Sequence, residues 1–396
     1  MSNRLKLFRE RMAAFEGAAN PSKALDSGYY VHTPGKLLVD TISGRVALRP
    51  FSSHLLLGGI GSGKTTQLLV ALGQINEIED TYAHYIDVSL HTDISQISNG
   101  VLIAIAGLEL AKLMQDSNDE KVKASINLIK KTAFGYREEV LTSQLNRISN
   151  SLSSLTTIDR PGIVTGESIK SPLIEAVSEL AKETSKKYGN IVFLFDGLDR
   201  LDNAKTFMQL VSSDAKYISS AGIGLVLVGP SIALYSDYRD TVESSLDYFY
   251  HQPFFDVEND LEAYSLFEKI IQTRTSQDFI EKPAIAALIR FSGGVLRDFI
   301  TLTQASIEET YLSGEDKVQE THVLNAVDAF GRSQLRGLSD EALKIVKQTL
   351  NEKIFIPRTD EDVRLLIRRL ILEYRYPKFR YAVHPAIKPL IEQISF

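Results

Sequence analysis

The stretch that decides the fold is Leu55-Leu56-Leu57-Gly58-Gly59-Ile60-Gly61-Ser62-Gly63-Lys64-Thr65-Thr66. A short apolar run leads into a glycine-rich loop, and the helical pattern of residues 67–72 follows. Strand, loop and helix in this order, with the spacing G-x-x-x-x-G-K-[ST], are typical of a phosphate-binding loop. The glycines let backbone N–H groups surround a phosphate, and the start of the helix adds a partial positive charge. The stretch therefore predicts a nucleotide site at residues 58–66, rather than a glycine turn before an ordinary helix.

A second motif consists of an apolar run followed by polar residues and reads Ile191-Val192-Phe193-Leu194-Phe195-Asp196-Gly197-Leu198-Asp199-Arg200. Its first aspartate, Asp196, lies 132 residues after Lys64. In a phosphate-loop site, Lys64 contacts the β- and γ-phosphates, while Thr65 and an aspartate such as Asp196 hold Mg²⁺. Hydrolysis also needs a carboxylate that orients or deprotonates water. Position 197 is glycine, so Asp199 is the nearest candidate for that role. The alternative interpretation of Asp199 is an exposed turn residue or a helix cap.

Composition restricts the class of protein. The chain has 396 residues, a net charge of −6 and no cysteine, which excludes disulfides, thiolate zinc sites and cysteine nucleophiles. A cysteine-free chain fits a reducing cytoplasm. The most apolar runs, at 101–111 and 222–234, are shorter than the roughly 20 residues of a membrane-spanning helix. The N-terminus lacks the continuous apolar segment of a signal peptide. We therefore expect a cytoplasmic protein with no membrane partner.

Periodicity predicts an α/β domain followed by helices. Extended segments are expected at 29–39, 46–48, 83–88, 191–195, 222–228 and 248–255. Helices are expected at 101–114, 119–133, 136–150, 172–187, 259–275, 282–291, 296–311 and 320–331, with a polar loop at 149–170. The predicted division is an N-terminal helical segment at 1–27, a parallel-sheet nucleotide domain at 28–257 with a helical insertion at about 112–170, a helical lid at 258–334 and a C-terminal unit at 335–396.

On the two motifs, the chain resembles AAA+ and STAND-type P-loop ATPases. The segment Asp196–Arg200 is most similar to that of NACHT-like and KAP-like ATPases, and the succession of lid and C-terminal unit is similar to that of the Orc1/Cdc6 group. The resemblance implies ATP rather than GTP, and no Asn-Lys-x-Asp guanine motif occurs in the chain.

The same resemblance implies three further site residues. Ser231, which follows the apolar run 222–228, stands where the family has a polar sensor, although the usual Asn or Thr is missing. Arg297 stands at the start of the lid helix that bears the second sensor, or it is a surface arginine. Arg239 stands where AAA+ proteins often carry an arginine finger that acts on a neighbouring subunit, with Arg200 as a second candidate. Either arginine could instead form a surface ion pair.

The C-terminal unit is similar to a winged helix. Helices are expected at 339–350 and 360–370, a short strand at 354–356, a hairpin around Pro377-Lys378 and a final helix after Pro385. Residues 335–396 carry twelve Lys or Arg and eight Asp or Glu, a net +4. The basic residues that could neutralise DNA phosphates are Arg364, Arg368, Arg369, Arg375, Lys378 and Arg380. The alternative is a winged helix used only for packing.

These features lead to one hypothesis with three uses. The chain is expected to be an ATP-dependent switch in which nucleotide controls the lid, self-assembly or a partner protein. One use is an Orc1/Cdc6-like DNA-binding ATPase. Another is a STAND-type signalling ATPase, for example in bacterial anti-phage defence, whose effector is a separate protein. A third is a nucleotide-dependent scaffold with little hydrolysis, which the glycine at position 197 would favour.

Overall fold

A computed structural model describes residues 3–16, 21–33, 38–134, 170–276 and 278–394. The strands are β1 (Ser53–Leu57), β2 (Thr81–Asp87), β3 (Asn190–Asp196), β4 (Ile223–Val228), β5 (Tyr248–His251), β6 (Ile371–Tyr374) and β7 (Arg380–Val383). The helices are α1 (Asn3–Phe15), α2 (Pro21–Asp26), α3 (Leu38–Leu48), α4 (Lys64–Asn76), α5 (Val101–Leu113), α6 (Glu120–Phe134), α7 (Lys170–Tyr188), α8 (Ala204–Gln209), α9 (Lys216–Ser220), α10 (Arg239–Ser244), α11 (Leu261–Arg274), α12 (Lys282–Phe291), α13 (Leu296–Ser313), α14 (Glu320–Leu335), α15 (Asp340–Glu352), α16 (Asp360–Ile367) and α17 (Lys388–Glu392).

The chain divides into two compact units. The sheet unit consists of Val39–Leu57 and Val70–Tyr250, and the lid unit consists of Met1–Leu38, Gly58–Leu69 and His251–Phe396. None of the helices in the described parts of the chain combines the length and the apolar character of a membrane span.

The sheet unit is built on a five-stranded sheet with the strand order β2-β3-β4-β1-β5. β3 pairs in parallel with both β2 and β4, and β1 pairs in parallel with β4. The side chains of residues 191–195 are fully buried, because a central parallel strand is covered on both faces. This burial explains why the run is continuously apolar instead of alternating.

Helix α5 of the sheet unit is buried from Val101 to Ala111. Its first turn is held by the buried carboxylate of Asp214, which accepts hydrogen bonds from the backbone N–H groups of Gly100 (2.8 Å) and Leu102 (3.0 Å). A negative charge at this end satisfies backbone donors that have no partner within the helix. The Asp214 carboxylate thus replaces the water that would otherwise accept hydrogen bonds from these N–H groups, so the end of the helix can be buried.

The lid unit has its own core of helices. The rings of Phe267 and Phe299 are completely buried and meet edge to face at 4.8 Å. Arg4 of α1 holds the C-terminal end of α13, since its guanidinium donates to the carbonyl oxygens of Tyr311 (3.1 Å) and Glu315 (2.6 Å). The predicted N-terminal helical segment thus packs within the lid unit through α1.

The predicted fold class is confirmed: a parallel-sheet α/β fold is followed by a helical region and a small antiparallel sheet. Strands β6 and β7 pair antiparallel, as expected for the hairpin around Pro377. The helix at 136–150 and the loop at 149–170 lie outside the described residues, as does most of the predicted insertion. The division into four segments and the winged-helix assignment stay predictions.

Three predicted extended segments, at 29–39, 46–48 and 354–356, do not form strands. Residues 29–33 have no regular structure, and 34–37 lie outside the described residues. Residues 38–48 form helix α3, whose buried positions are Val39, Ile42, Ser43 and Val46. That spacing of three and four residues is the apolar stripe of a helix, and the β-branched residues disguised it. The predicted strand at 354–356 is also absent: these residues have no regular structure, and the side chains of Ile354 and Ile356 are exposed.

Candidate nucleotide-binding site

The phosphate loop begins directly after β1, and helix α4 begins at Lys64. The Lys64 side chain is 4% exposed, and its ammonium donates to the carbonyl oxygens of Gly58 (2.9 Å) and Gly59 (3.0 Å). The loop backbone therefore surrounds the lysine ammonium, and the contact of Lys64 with phosphates stays a prediction. The geometry keeps a positive charge inside a concave stretch of backbone.

Gly61 has a backbone conformation that favours glycine, with φ at +87°. A β-carbon on Gly61 would lie 2.7 Å from Cβ of Arg297 and 3.2 Å from a methyl carbon of Val295. The backbone N–H of Arg297 donates to the Gly61 carbonyl oxygen at 3.2 Å. The lid residue that was predicted to contact nucleotide thus lies against the loop through its main chain, and the role of its side chain stays a prediction.

The remaining loop residues fit a phosphate ligand. The Ser62 hydroxyl is completely buried and has no hydrogen-bond partner among the described residues. A buried hydroxyl without a partner is costly, so a ligand that supplies acceptor oxygens would relieve it. Thr65 and Thr66 lie half-buried in the first turn of α4. Ile60 lies before Gly61, and Gly63 lies between Ser62 and Lys64.

In the sheet unit, Asp196 ends β3 and is 5% exposed. Its Oδ2 accepts a hydrogen bond from the Tyr85 hydroxyl (3.0 Å), and its Oδ1 accepts one from the N–H of Gly197 (2.7 Å). Burial and the neighbouring negative charge of Asp196 raise the pKa of Tyr85, so the tyrosine stays a hydrogen-bond donor. The carboxylate is therefore held in one orientation at the carboxyl end of the strand.

Asp87 is a candidate that the sequence reasoning missed. It ends β2 and is the register partner of Asp196 on the neighbouring strand. Gly197 has φ at +91°, and a β-carbon there would lie 3.1 Å from Oδ1 of Asp87. The Asp87 carboxylate thus occupies space that a side chain at position 197 would enter. The sequence signal that could have identified Asp87 is its position: it is a polar residue at the end of the predicted strand that precedes, in the chain, the strand ending in Asp196.

The other predicted residues of the sheet unit lie in short turns. Asp199 is partly exposed within the turn Leu198–Arg200, and the side chain of Arg200 is exposed. Ser231 begins the turn Ser231–Leu234, three residues after β4 ends. The structure leaves their predicted roles as hypotheses.

Arg239, the predicted finger, begins helix α10 with 56% of its side chain exposed. Its guanidinium pairs with Glu243 one turn later at 2.8 Å. An exposed pair of this kind is weak. Arg239 is therefore accessible to a neighbouring molecule, and its function in trans stays a prediction.

The basic residues of the C-terminal unit contact groups of the same chain. Arg364 pairs with Glu361, Arg375 with Glu373, and Arg380 with Asp256 and Glu258, while Arg368 donates to the carbonyl oxygens of Gln334 and Arg336. Arg380 is only 27% exposed, and both its bonds to Asp256 are 2.6 Å long. Helix α16 ends at Ile367, so Arg368 and Arg369 lie beyond the helix to which they were assigned. The side chain of Lys378 lies at the exposed tip of the hairpin.

The phosphate loop follows β1, and Asp196 ends β3 within the sheet of strand order β2-β3-β4-β1-β5, which is the layout of a P-loop α/β fold. No protein-family model and no curated protein matches the chain.

The chain is similar to several solved structures at low sequence identity. The Orc2 protein of Aeropyrum pernix, in ADPNP and ADP complexes, is 14% identical, with 91% of this chain and 94% of that chain covered and a TM-score of 0.44. Cdc6 of Pyrobaculum aerophilum is 13% identical, with 93% and 98% covered and a TM-score of 0.43. The RuvB Holliday junction branch migration motor of Thermotoga maritima is 14% identical, with 93% and 99% covered and a TM-score of 0.43. These likenesses concern the layout of the fold and say nothing about the activity of this chain.

Proposed function

We propose that this chain is a cytoplasmic ATP-binding switch that hydrolyses ATP with Mg²⁺ and controls self-assembly or a partner protein. The observation that carries the proposal is the phosphate loop, in which two backbone carbonyl groups accept hydrogen bonds from Lys64 and the Ser62 hydroxyl is buried with no partner in the described parts of the chain. Both features suit a ligand rich in anionic oxygen.

Each residue has a defined task in this proposal. Lys64 and the N–H groups at the start of α4 bind the phosphates, and the Arg297 side chain binds from the lid. Thr65 and Asp196 hold Mg²⁺, which neutralises phosphate charge when bound. Ser231 senses the terminal phosphate. The assignment of Asp196 to the same nucleotide rests on the pairing of the two sequence motifs.

Binding is tested with a fluorescent ATP analogue. We expect Lys64→Ala to abolish binding, because the loop loses the charge that faces the phosphates. Lys123→Ala is the matched control, since Lys123 is an exposed residue of α6 that pairs with Glu120. A Lys64 variant that binds as tightly as the parent would remove the phosphate loop from the proposal.

Hydrolysis needs a water-orienting carboxylate, and two are present near the end of β3. Asp199 is the candidate from the sequence, and the position of Asp87 in front of Gly197 favours a second. Because asparagine caps helices and turns as well as aspartate does, Asp87→Asn keeps the hydrogen bond that Oδ1 accepts from Ser89 N–H.

One of the two variants, Asp199→Asn or Asp87→Asn, should remove the essential carboxylate. In that variant we expect ATP turnover to fall about a hundredfold while the affinity for an ATP analogue stays unchanged. Asp93→Asn is the control, since Asp93 caps the turn Ile94–Gln96 through the same contact with a serine two residues later. If both variants hydrolyse normally, neither carboxylate acts on water. If the parent binds ATP without turnover, the nucleotide-dependent scaffold is the better description.

The partner is a separate protein in the STAND-like version of the proposal, for example an effector in anti-phage defence. Purification of the chain with and without an ATP analogue, followed by mass spectrometry of bound proteins, tests this version. A nucleotide-dependent partner is expected. Recovery of the same proteins in both conditions would argue against a switch.

DNA binding is the alternative function. The observation in its favour is the exposed hairpin tip, where Arg375 and Lys378 flank exposed Tyr376. Measurement of duplex binding by fluorescence anisotropy tests it, with Arg364→Glu combined with Lys378→Glu as the variant. Binding that survives this change in both charges would exclude the winged-helix-like unit as the contact surface.

A further inference from the structure

A buried ion pair joins the C-terminal region to helix α13 inside the lid unit. Arg369 donates through Nε to Oδ2 of Asp298 at 3.0 Å and through Nη2 to Oδ1 at 2.9 Å. The Asp298 side chain is 3% exposed and that of Arg369 is 14% exposed. The Nε2 atom of His384 lies 3.4 Å from Oδ2 of Asp298. Burial disfavours ionisation, but His384 and Arg369 outweigh it and lower the pKa of Asp298.

The residues just before Asp298 are those that contact the phosphate loop. The Arg297 N–H donates to Gly61, as described above, and a δ-methyl carbon of Leu296 lies 2.9 Å from the position of a β-carbon on Gly63. Asp298 is the next residue in the chain. The ion pair therefore anchors the segment one residue away from its contact with the loop.

The hairpin supports the same segment from a second side. The Tyr374 hydroxyl donates to the Gly293 carbonyl oxygen at 2.8 Å, and Tyr374 is fully buried. Val295 packs with Leu372 and Tyr374 in one apolar cluster. Residues 293–298 are thus held between the phosphate loop and the C-terminal region.

Arg369 is kept at this position despite an unfavourable backbone. Its φ is +60°, in the left-handed region that is unfavourable for a residue other than glycine. A buried ion pair contributes little net stability compared with apolar packing. Stability alone is therefore a poor reason for the pair, whereas a precise two-bond geometry suits a positioning role.

We propose that Asp298 and Arg369 are positioning residues: their ion pair holds residues 295–297 against the phosphate loop, so that nucleotide affinity depends on the C-terminal region. The proposal rests on the nucleotide binding proposed above. In this role neither residue needs to contact the nucleotide. Conversely, nucleotide binding stabilises the C-terminal region, because coupling between two sites is reciprocal.

The test uses the full chain and the double variant Asp298→Asn/Arg369→Gly. Glycine accepts the left-handed backbone at position 369, and asparagine leaves no buried unpaired charge, so the variant is designed to fold. We expect its dissociation constant for a fluorescent ATP analogue to rise about tenfold. Arg369→Lys, which keeps the charge and loses the two-bond geometry, is the second variant and is expected to show a smaller loss of the same kind.

Arg4→Lys is the matched control. Arg4 holds the opposite end of α13 through Tyr311 and Glu315, so its loss weakens the same helix far from the loop. We expect a lower melting temperature and an unchanged dissociation constant. Hydrogen exchange adds a readout that a structural role would not move: the ATP analogue slows exchange at residues 369–384 in the parent and has less effect in the double variant.

The outcomes separate the two proposals. A parent that does not bind the analogue overturns the proposed function and, with it, this inference. A parent that binds, together with variants at positions 298 and 369 that melt lower but bind within about twofold, overturns the inference alone. Weaker binding in Arg4→Lys equal to that in the double variant also overturns it, because the effect would then reflect general loosening of α13.

Discussion

Replacement of Gly61 by alanine is the sharpest test of the contact between the phosphate loop and residues 295–297. The new methyl group would sit on a backbone with φ at +87° and 2.7 Å from Cβ of Arg297. The backbone term costs about 1–2 kcal/mol. Ordinary carbon–carbon contacts are about 3.5–4.0 Å long, so the second term is overpacking, which costs about 1–3 kcal/mol.

The two terms together predict a loss of about 2–5 kcal/mol in the free energy of unfolding of Gly61→Ala. The protein can escape part of this cost if the loop moves away from residues 295–297. That movement would disturb the phosphate site, so we expect the dissociation constant for an ATP analogue to rise at least about tenfold, or about 1.4 kcal/mol.

Gly73→Ala supplies the matched control. Gly73 lies within helix α4, and apart from the nearby backbone of that helix no atom of the described residues lies within 4 Å of the position of its β-carbon. Alanine is better than glycine within a helix by about 0.5–1 kcal/mol, so this variant should be more stable and bind nucleotide normally. Urea unfolding and titration with a fluorescent ATP analogue measure both quantities. A Gly61→Ala variant with parental stability and affinity would refute the contact described here.

Two further predictions concern the sheet unit. Burial of Glu109 disfavours its charge, but hydrogen bonds from His84 and Lys112 outweigh this and lower its pKa from 4.5 to about 2. The ionised Glu109 should therefore contribute about 2 kcal/mol to the free energy of unfolding above pH 4.5, and this contribution should disappear as the pH falls toward 2. The free energy of unfolding of Glu109→Gln should fall less over the same pH range. Equal pH profiles of stability for the parent and Glu109→Gln would contradict this prediction. Arg239→Ala should lower ATP turnover at least about a hundredfold without changing affinity if the residue acts on a neighbouring subunit. Arg332→Ala, which breaks another exposed pair within one helix, is its control, and normal turnover of Arg239→Ala would exclude the finger.

Local patterns carried most of the fold. The apolar run 191–195 predicts a covered parallel strand without any knowledge of its neighbours, since only burial on both faces permits such a run. Residues 58–64 predict the loop because its requirements are local: glycine at positions with positive φ, and a fixed number of residues before Lys64. Periodicity failed at helix α3, where β-branched residues at helical spacing were mistaken for an extended segment.

Pairings between distant residues could not be predicted in this way. Asp87 lies beside Asp196 because β2 and β3 are neighbours in the sheet, and strand order is not encoded in either segment. Arg369 meets Asp298 across 71 residues, and Arg380 meets Asp256 across 124.

The basic residues of the C-terminal unit show the difference most clearly. Their sequence predicted a surface for DNA, but Arg380 is half-buried against two carboxylates of the lid. A charge pattern reports which groups a segment carries, whereas packing decides whether those groups face water or each other. The phosphate loop could therefore be predicted from the sequence alone. The contacts that residues 295–297 make with the loop became visible only in the folded chain.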